Sequence, residues 1–212
     1  MIRLDIFSDP VCPWCYIGKA NLDRALERHA DHPFAIAWHP FQLNPDIPAE
    51  GYALGAYLEA KFGGMDKAVQ MFARVEQAAR DAGLEIEVAK IARAPNTMDA
   101  HRMIHWAGLE GKANAMVSAL FRAYWRAGRD IGDAATLADL GATIGMDRAL
   151  ATRLLATDAD RDDLTARDLD ARQKGVTAVP TFLIAQQYVL SGAQPVELWG
   201  QVITELTATK GG

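Results

Sequence analysis

Strand-like patterning occupies the two ends of this 212-residue chain with a long helical stretch between, and that arrangement limits its possible folds more than any other feature. Ile2-Arg3-Leu4-Asp5-Ile6-Phe7 alternates apolar and polar residues, the period of a half-buried strand, expected over about 2–8. A helix then begins near the cysteines and runs to about Arg28, with Leu22, Ala25 and Leu26 on one face. A second strand is expected at about 34–40. Leu43-Asn44-Pro45-Asp46-Ile47-Pro48 closes the segment, because proline and asparagine interrupt both helices and strands.

From about 50 to 174 the pattern is helical. Met65, Val69, Phe72, Val75 and Ala79 recur at helical spacing, and Gly83 stands where that helix would end. Asn114 is placed as a cap before Val117, Leu120, Phe121 and Tyr124, with Gly128 closing the helix. Asp133 opens a segment through Leu137, Leu140 and Ile144 to Gly145; Asp147 caps another; the last runs from about Asp158 to Lys174 and stops at Gly175. Beyond it, Thr181–Ile184 and Tyr188–Leu190 read as two strands. Pro195 suits the first turn of a final helix, whose face carries Leu198, Val202, Ile203 and Leu206. The order is β-α-β, a helical block, then β-β-α. Half of the residues are hydrophobic and 23% are charged, enough apolar material to bury a core.

Composition also removes some functions. Net charge is −5, from 22 basic and 27 acidic residues without a basic stripe, so nucleic acid is not an expected partner. No window approaches the roughly 20 apolar residues that span a bilayer. The alternating N-terminus lacks the basic and apolar regions of a signal peptide, so a cytoplasmic location is expected.

Cys12 and Cys15 are the only cysteines, three positions apart. In a reducing compartment such a pair is chemical rather than a structural staple. Disulfide exchange needs a thiolate, and the free N–H groups and dipole at a helix start favour negative charge. Cys12 occupies that position, and Cys15 follows one turn later, within reach of a mixed disulfide. Cys12 is therefore expected to attack and Cys15 to resolve. Pro13 is tolerated in a first turn and stiffens it. Trp14 supplies bulk and an N–H but no positive charge, so a less extreme oxidant is expected than with an imidazolium there.

The element order is that of a thioredoxin-like fold, an α/β architecture, with an inserted all-helical subdomain: residues 1–48 and 175–212 would form the thioredoxin-like part and 49–174 the insertion. In such folds the proline before the third strand, here Pro180 after Val179, is cis and lies against the dithiol. Its geometry leaves the Val179 backbone free to pair with an extended substrate.

Ser8-Asp9-Pro10-Val11-Cys12-Pro13-Trp14-Cys15-Tyr16-Ile17-Gly18-Lys19 resembles the active-site segment of FrnE-type oxidoreductases of the DsbA family. Phe41-Gln42-Leu43-Asn44-Pro45, Asn96-Thr97 with Ala100-His101-Arg102, Gly175-Val176 with Val179-Pro180-Thr181-Phe182, and Ser191–Pro195 match in order. The resemblance implies disulfide oxidation, reduction or isomerisation, with no tightly bound cofactor and disulfide- or dithiol-containing proteins or a small molecule as partners. It also implies a groove between the two parts where Asn96 and His101 lie near Pro13, Trp14, Val179 and Pro180 as substrate contacts. Some relatives carry a further C-terminal cysteine pair; this chain does not.

Plainer explanations stand beside these. Cys12 and Cys15 could form half a zinc site, with His101 and His105 at the i, i+4 spacing of metal ligands, but Pro-Trp at a helix start does not suit a zinc knuckle. His101 and His105 otherwise read as partly buried helix residues. Met98, Met103 and Trp106 read as core, and Tyr124 with Trp125 as core of the insertion. Kappa-class glutathione transferases and 2-hydroxychromene-2-carboxylate isomerases share the fold and use glutathione in the same groove. A serine typically replaces Cys12 there, so the retained dithiol favours redox chemistry. A peptide-binding module without catalysis would tolerate loss of either cysteine. A homodimer through the helical part is the expected assembly.

Overall fold

The computed structural model describes residues 1–208; residues 209–212, the end of the expected C-terminal part, lie outside the described residues. Strand β1 (Ile2–Ser8) lies in the middle of a four-stranded sheet of order β2-β1-β5-β6. It pairs in parallel with β2 (Phe34–Pro40), Ile2 opposite Phe34 and Ser8 opposite Pro40, and antiparallel with β5 (Thr181–Ile184), Leu4 opposite Ile184. Strand β6 (Tyr188–Ser191) completes the edge. Helices α1 (Pro13–Arg28) and α9 (Val196–Ala208) pack together, and a core of Leu4, Ile6, Leu22, Phe34, Phe182, Ile184, Trp199 and Ile203 joins them to the sheet. The inward face of α9 holds Ile203 with Val202 and Leu206 packed against the core, as expected, and adds Val196 and Trp199. Val196, Trp199 and Ile203 are its buried residues, and Trp199 meets Phe182 edge-on at 4.9 Å, while Leu198 is only half-buried.

The central block holds α2 (Leu54–Phe62), α3 (Met65–Asp81), α4 (Met98–Leu109), α5 (Ala113–Phe121), α6 (Ala134–Thr143), α7 (Arg148–Leu155) and α8 (Arg161–Gln173). Asp133 and Asp147 cap α6 and α7, their carboxylates accepting from the N–H groups of Thr136 and Leu150. Asn114 is not a cap. Lys112 is the N-cap residue and makes no side-chain bond to the helix start, and α5 continues into a π-helical turn, Arg122–Arg126. The last helix starts at Arg161 rather than near Asp158, after Asp160 in the left-handed region. On α3 the buried line is Ala68, Val75 and Ala79; Met65 and Val69 face outward. The block is helical apart from a two-residue antiparallel ladder between β3 (Tyr52–Ala53) and β4 (Arg93–Ala94). Gly51 precedes it at φ +67°, and a Cβ there would stand 2.7 Å from the Ala94 carbonyl.

The larger core runs through both parts of the chain. Cys12, Cys15, Tyr16, Phe41 and Val179 share it with Met103, Trp106, Met116, Leu120 and Leu137, and Tyr16 stacks on Phe121 with ring centroids 5.2 Å apart. Helices α4, α5 and α8 contact β2 directly. The dithiol thus lies at the seam between sheet and helical block. No described helix is long and apolar enough to cross a membrane.

Candidate active site

Chain direction places the dithiol. Strand β1 ends at Ser8, the main-chain carbonyl of Asp9 accepts from the Cys12 N–H at 2.9 Å, and Cys12 becomes the N-cap of α1 with Pro13 as its first residue. The Cys12 thiol donates to the Val179 carbonyl at 3.5 Å, so the segment before β5 closes directly over it. The Val179–Pro180 bond is cis. A Cβ on Gly18 would lie 3.1 Å from Pro180 Cγ, so α1 rests on the proline ring at a point where only glycine fits comfortably. Both cysteines are free thiols, 3% and 2% exposed.

The two thiols are not equivalent. Burial pushes the Cys15 thiol up from its ordinary value, and a hydrogen bond to Cys12 and the Cys12 charge add to this; the Ser8 hydroxyl and the Asp9 main chain oppose it. Cys15 is thereby held as a thiol, while Cys12 is the N-cap of α1 and lines the cavity. Such a pair can attack through the first sulfur and resolve through the second.

A cavity of about 360 Å3 opens onto Cys12. Val11, Cys12, Pro13, Trp14 and Val179 form one side; Leu54, Tyr57, Leu58 and Phe62 of α2, Phe72 of α3, and Tyr124 and Trp125 form the other. The last two come from the π-helical turn, a local unwinding common at functional sites. Trp125 also donates through Nε1 to the Pro10 carbonyl at 3.2 Å, tying the helical block to the loop that presents Cys12. Asp9 and Lys61 are the charged residues of the lining, so the cavity suits an apolar group beside a sulfur.

Asp9 is fully buried. Its carboxyl accepts from the N–H of Leu43 at 2.7 Å and of Val11 at 3.4 Å, and Nε2 of buried His101 stands 3.8 Å away, beyond hydrogen-bond length. Desolvation pushes Asp9 up to about 6 and pushes His101 down to about 4. Between those values both are neutral, burial of His101 outweighing the pull of the Asp168 carboxylate. Since the folded-state value of Asp9 is raised, its contribution to stability is present below about 4 and is lost as pH rises through about 6. His101 acts oppositely: its contribution is present above its ordinary 6.5 and lost as pH falls through about 4. An Asp9→Asn variant is therefore expected to be more stable than wild type at pH 8, by about 2–3 kcal/mol, with the gain gone near pH 4. Urea unfolding at the two pH values checks this; a gain independent of pH would exclude a buried, ionised Asp9.

The residues expected to contact substrate divide into two groups. Pro13, Trp14 and Val179 line the cavity, and Pro180 supports it from behind through Gly18. Asn96 and His101 do not line it. Asn96 accepts from Gln42 and donates to the Ile47 carbonyl, binding the turn-rich segment to the start of α4, and its neighbour Thr97 reaches the cavity instead. His101 lies behind, on the far side of Asp9. Met98, Met103 and Trp106 are buried core, whereas Tyr124 and Trp125 are both core and cavity wall. Among the described residues there is no grouping of three or more His, Cys, Asp or Glu able to hold a metal. Asp9 escaped notice as a site residue although it stands three positions before Cys12. Its burial depends on Leu43 and Thr97, which come from distant parts of the chain.

A thioredoxin-like sheet with a dithiol capping its first helix, and helices inserted between the second and third of its four strands, defines a class of thioredoxin-fold proteins. The match to known families is consistent with that class: the DSBA-like thioredoxin domain covers residues 3–203, and the chain belongs to that oxidoreductase family. A probable DsbA oxidoreductase from Streptomyces coelicolor is 30% identical, with a TM-score of 0.86 over 97% of this chain and 89% of that one. The cytosolic disulfide reductase DsbM from Pseudomonas aeruginosa, solved with GSH, shares the fold at 20% identity, with a TM-score of 0.70 over 97% and 99%. A 2-hydroxychromene-2-carboxylate isomerase shares it at 16% identity, with a TM-score of 0.74 over 99% and 98%.

Proposed function

We propose that this protein is a cytoplasmic thiol–disulfide oxidoreductase in which Cys12 attacks a substrate disulfide and Cys15 resolves the mixed disulfide. The observation that carries this is the placement of Cys12: N-cap of α1, floor of the apolar cavity, and 3.5 Å from the Val179 carbonyl, with the Cys15 thiol held protonated one turn behind. Net direction depends on the potential of the pair against its compartment, and about 30 mV corresponds to tenfold in a two-electron equilibrium. In a reducing cytosol, reduction or isomerisation is as open to the pair as oxidation.

The test is equilibration with glutathione buffers followed by trapping of free thiols. A reversible two-electron transition within about −120 to −270 mV, the span of thioredoxin-like proteins, supports the assignment. Thiols reduced at every poise, with catalysis requiring glutathione, would defeat it. The same titration on Trp14→His is expected to give a more oxidising pair, by tens of millivolts, because an imidazolium beside Cys12 stabilises its thiolate. An unchanged potential would show that position 14 does not tune the pair.

A second reading is favoured by the cavity itself. Its walls of Tyr57, Phe62, Phe72, Tyr124 and Trp125 enclose a volume suited to a small aromatic or polyketide molecule. On that reading the protein is a transferase or isomerase with glutathione as co-substrate.

A further inference from the structure

Cys12 is reached through the front cavity. Its side chain is 3% exposed, and Leu54, Leu58 and Phe62 of α2 stand opposite it across a space of about 360 Å3. That wall holds the surface of a folded protein away from the sulfur, whereas the space lies at the small end of those that enclose small ligands, roughly 300–1,000 Å3. The polar atoms of the wall are engaged within the protein. Trp125 Nε1 donates to the Pro10 carbonyl at 3.2 Å, the Tyr124 hydroxyl donates to the Arg93 carbonyl at 3.2 Å, and the Thr97 hydroxyl accepts from Gln42 at 3.4 Å. Ring faces and aliphatic carbon are left for an occupant.

Charge enters the lining at two places. Asp9 is buried and carries no positive charge in either of its forms. Lys61 is exposed, and with Leu43, Asn44 and Tyr57 it also lines an open groove that adjoins the cavity, so it stands at the rim. The rest of that groove is Tyr52, Ala53, Ala56 and Ala60, without another charge. Lys61 Nζ donates to the Tyr57 hydroxyl at 2.8 Å and lies 5.2 Å from the centre of its ring. Among the described residues no carboxylate pairs with this ammonium. Two of its N–H groups and the Tyr57 O–H remain to donate. A cation with free donors at the rim of an apolar cavity is complementary to a molecule with an apolar body and an anionic end.

We propose that the substrate of the dithiol is a small aromatic disulfide carrying an anionic group, its body filling the front cavity and its anion held at the rim by Lys61 and Tyr57. The proposal rests on the dithiol function above and names the substrate class of that site. Cys12 attacks one sulfur of the bound disulfide: the Cys12–sulfur bond forms, the substrate sulfur–sulfur bond breaks, and the first aryl thiolate leaves. Cys15 then attacks the Cys12 sulfur, the Cys12–Cys15 bond forms, and the second aryl thiolate leaves. Two electrons pass from the dithiol to the substrate, and the two thiol protons pass to the products or to solvent. Lys61 is a specificity-determining residue that binds one class of disulfide and takes no part in the exchange.

Single-turnover reaction of the pre-reduced protein with four disulfides tests this. Dithiobis(nitrobenzoate) is aromatic and anionic, dithiodipyridine is aromatic and uncharged, oxidised glutathione is anionic without an apolar body, and insulin presents disulfides of a folded protein. Dividing each rate constant by that of dithiothreitol with the same disulfide removes intrinsic reactivity. The largest quotient is expected for dithiobis(nitrobenzoate), about tenfold above the other three. Lys61→Met is expected to lower the ratio of the dithiobis(nitrobenzoate) quotient to the dithiodipyridine quotient about fivefold, and Lys61→Glu to lower it further. Salt should lower the same ratio in wild type, because the screening length falls from roughly 30 Å at 0.01 M to 3 Å at 1 M. A ratio unchanged in Lys61→Met, or a larger quotient for insulin or oxidised glutathione, would overturn the substrate class and leave the dithiol function standing. A wild type oxidised by none of the four would remove the dithiol function and the proposal with it.

Discussion

Cys12→Ser is expected to reduce disulfide exchange to the uncatalysed background, a loss on the order of 10³-fold or more, because the thiolate is the only nucleophile the mechanism has. The variant should fold. A serine hydroxyl can still donate to the Val179 carbonyl, which now accepts from the thiol at 3.5 Å, and the position is buried in a way that suits a small side chain. Cys15→Ser should behave differently. Cys12 would still attack, and without a resolving thiol the substrate would remain attached, visible as a mass increase that a reductant removes. The measurements are turnover of a synthetic disulfide and intact-protein mass spectrometry. Full activity of Cys12→Ser in the presence of glutathione would sink the dithiol mechanism and favour the transferase or isomerase reading; no adduct on Cys15→Ser would reverse the assigned roles.

Arg102→Met should give the largest loss of stability of any single change away from the dithiol. Arg102 is completely buried on α4, and its guanidinium donates to the carbonyls of Ala159 at 2.7 Å and of Leu154 and Thr157 at 2.8 Å, and to Asp99 at 2.9 Å. It lies 4.8 Å from the centre of the Trp106 ring, whose Nε1 in turn donates to Asp160. One side chain therefore donates to three carbonyls of the segment between α7 and α8. Methionine fills part of the volume and takes this donor from the carbonyls of Ala159 and Thr157, while Leu154 keeps the Thr157 N–H and hydroxyl. The expected cost is about 3–5 kcal/mol, or a fall in Tm of roughly 6–20 °C for a chain of this size. Lysine should not rescue it, since one ammonium cannot reproduce the planar fork. Thermal unfolding followed by circular dichroism decides the matter. A loss below about 1 kcal/mol would mean that water replaces the guanidinium, and that the turn is held by the packing of Leu155 and Leu164 instead.

The legible parts of the fold were those with a local cause. Alternation over residues 2–7 and the two aspartates at 133 and 147 mark elements through neighbours no more than four residues away, and the structure contains each of them. The errors have a local origin too. On α3 the alanines at 68 and 79 are as acceptable inside as Val69 or Met65, so the pattern allowed more than one inward face, and packing of Val75 beside Ile17 of α1 selected among them. Asn114 looked like a cap by type, but α5 starts two residues earlier because Ala107 and Gly108 already end α4 against Lys112 and Glu110. The π turn that sets Tyr124 and Trp125 into the cavity wall has no sequence signal of its own.

The sequence by itself determined the dithiol, its place at a helix start, the proline two residues before Phe182, and the order of elements that makes a thioredoxin-like sheet with helices inserted. All of these arise from spacing and residue type over short stretches. Only the tertiary structure decided that Asp9 is buried, that His101 stands behind it rather than in the substrate cavity, and that aromatic side chains from three helical segments close over Cys12. The physical reason is that desolvation and enclosure are properties of a surroundings. Those of Asp9 are assembled from Leu43, Thr97, His101 and Asp168, which lie far apart along the chain and come together only when the helical block packs onto the sheet.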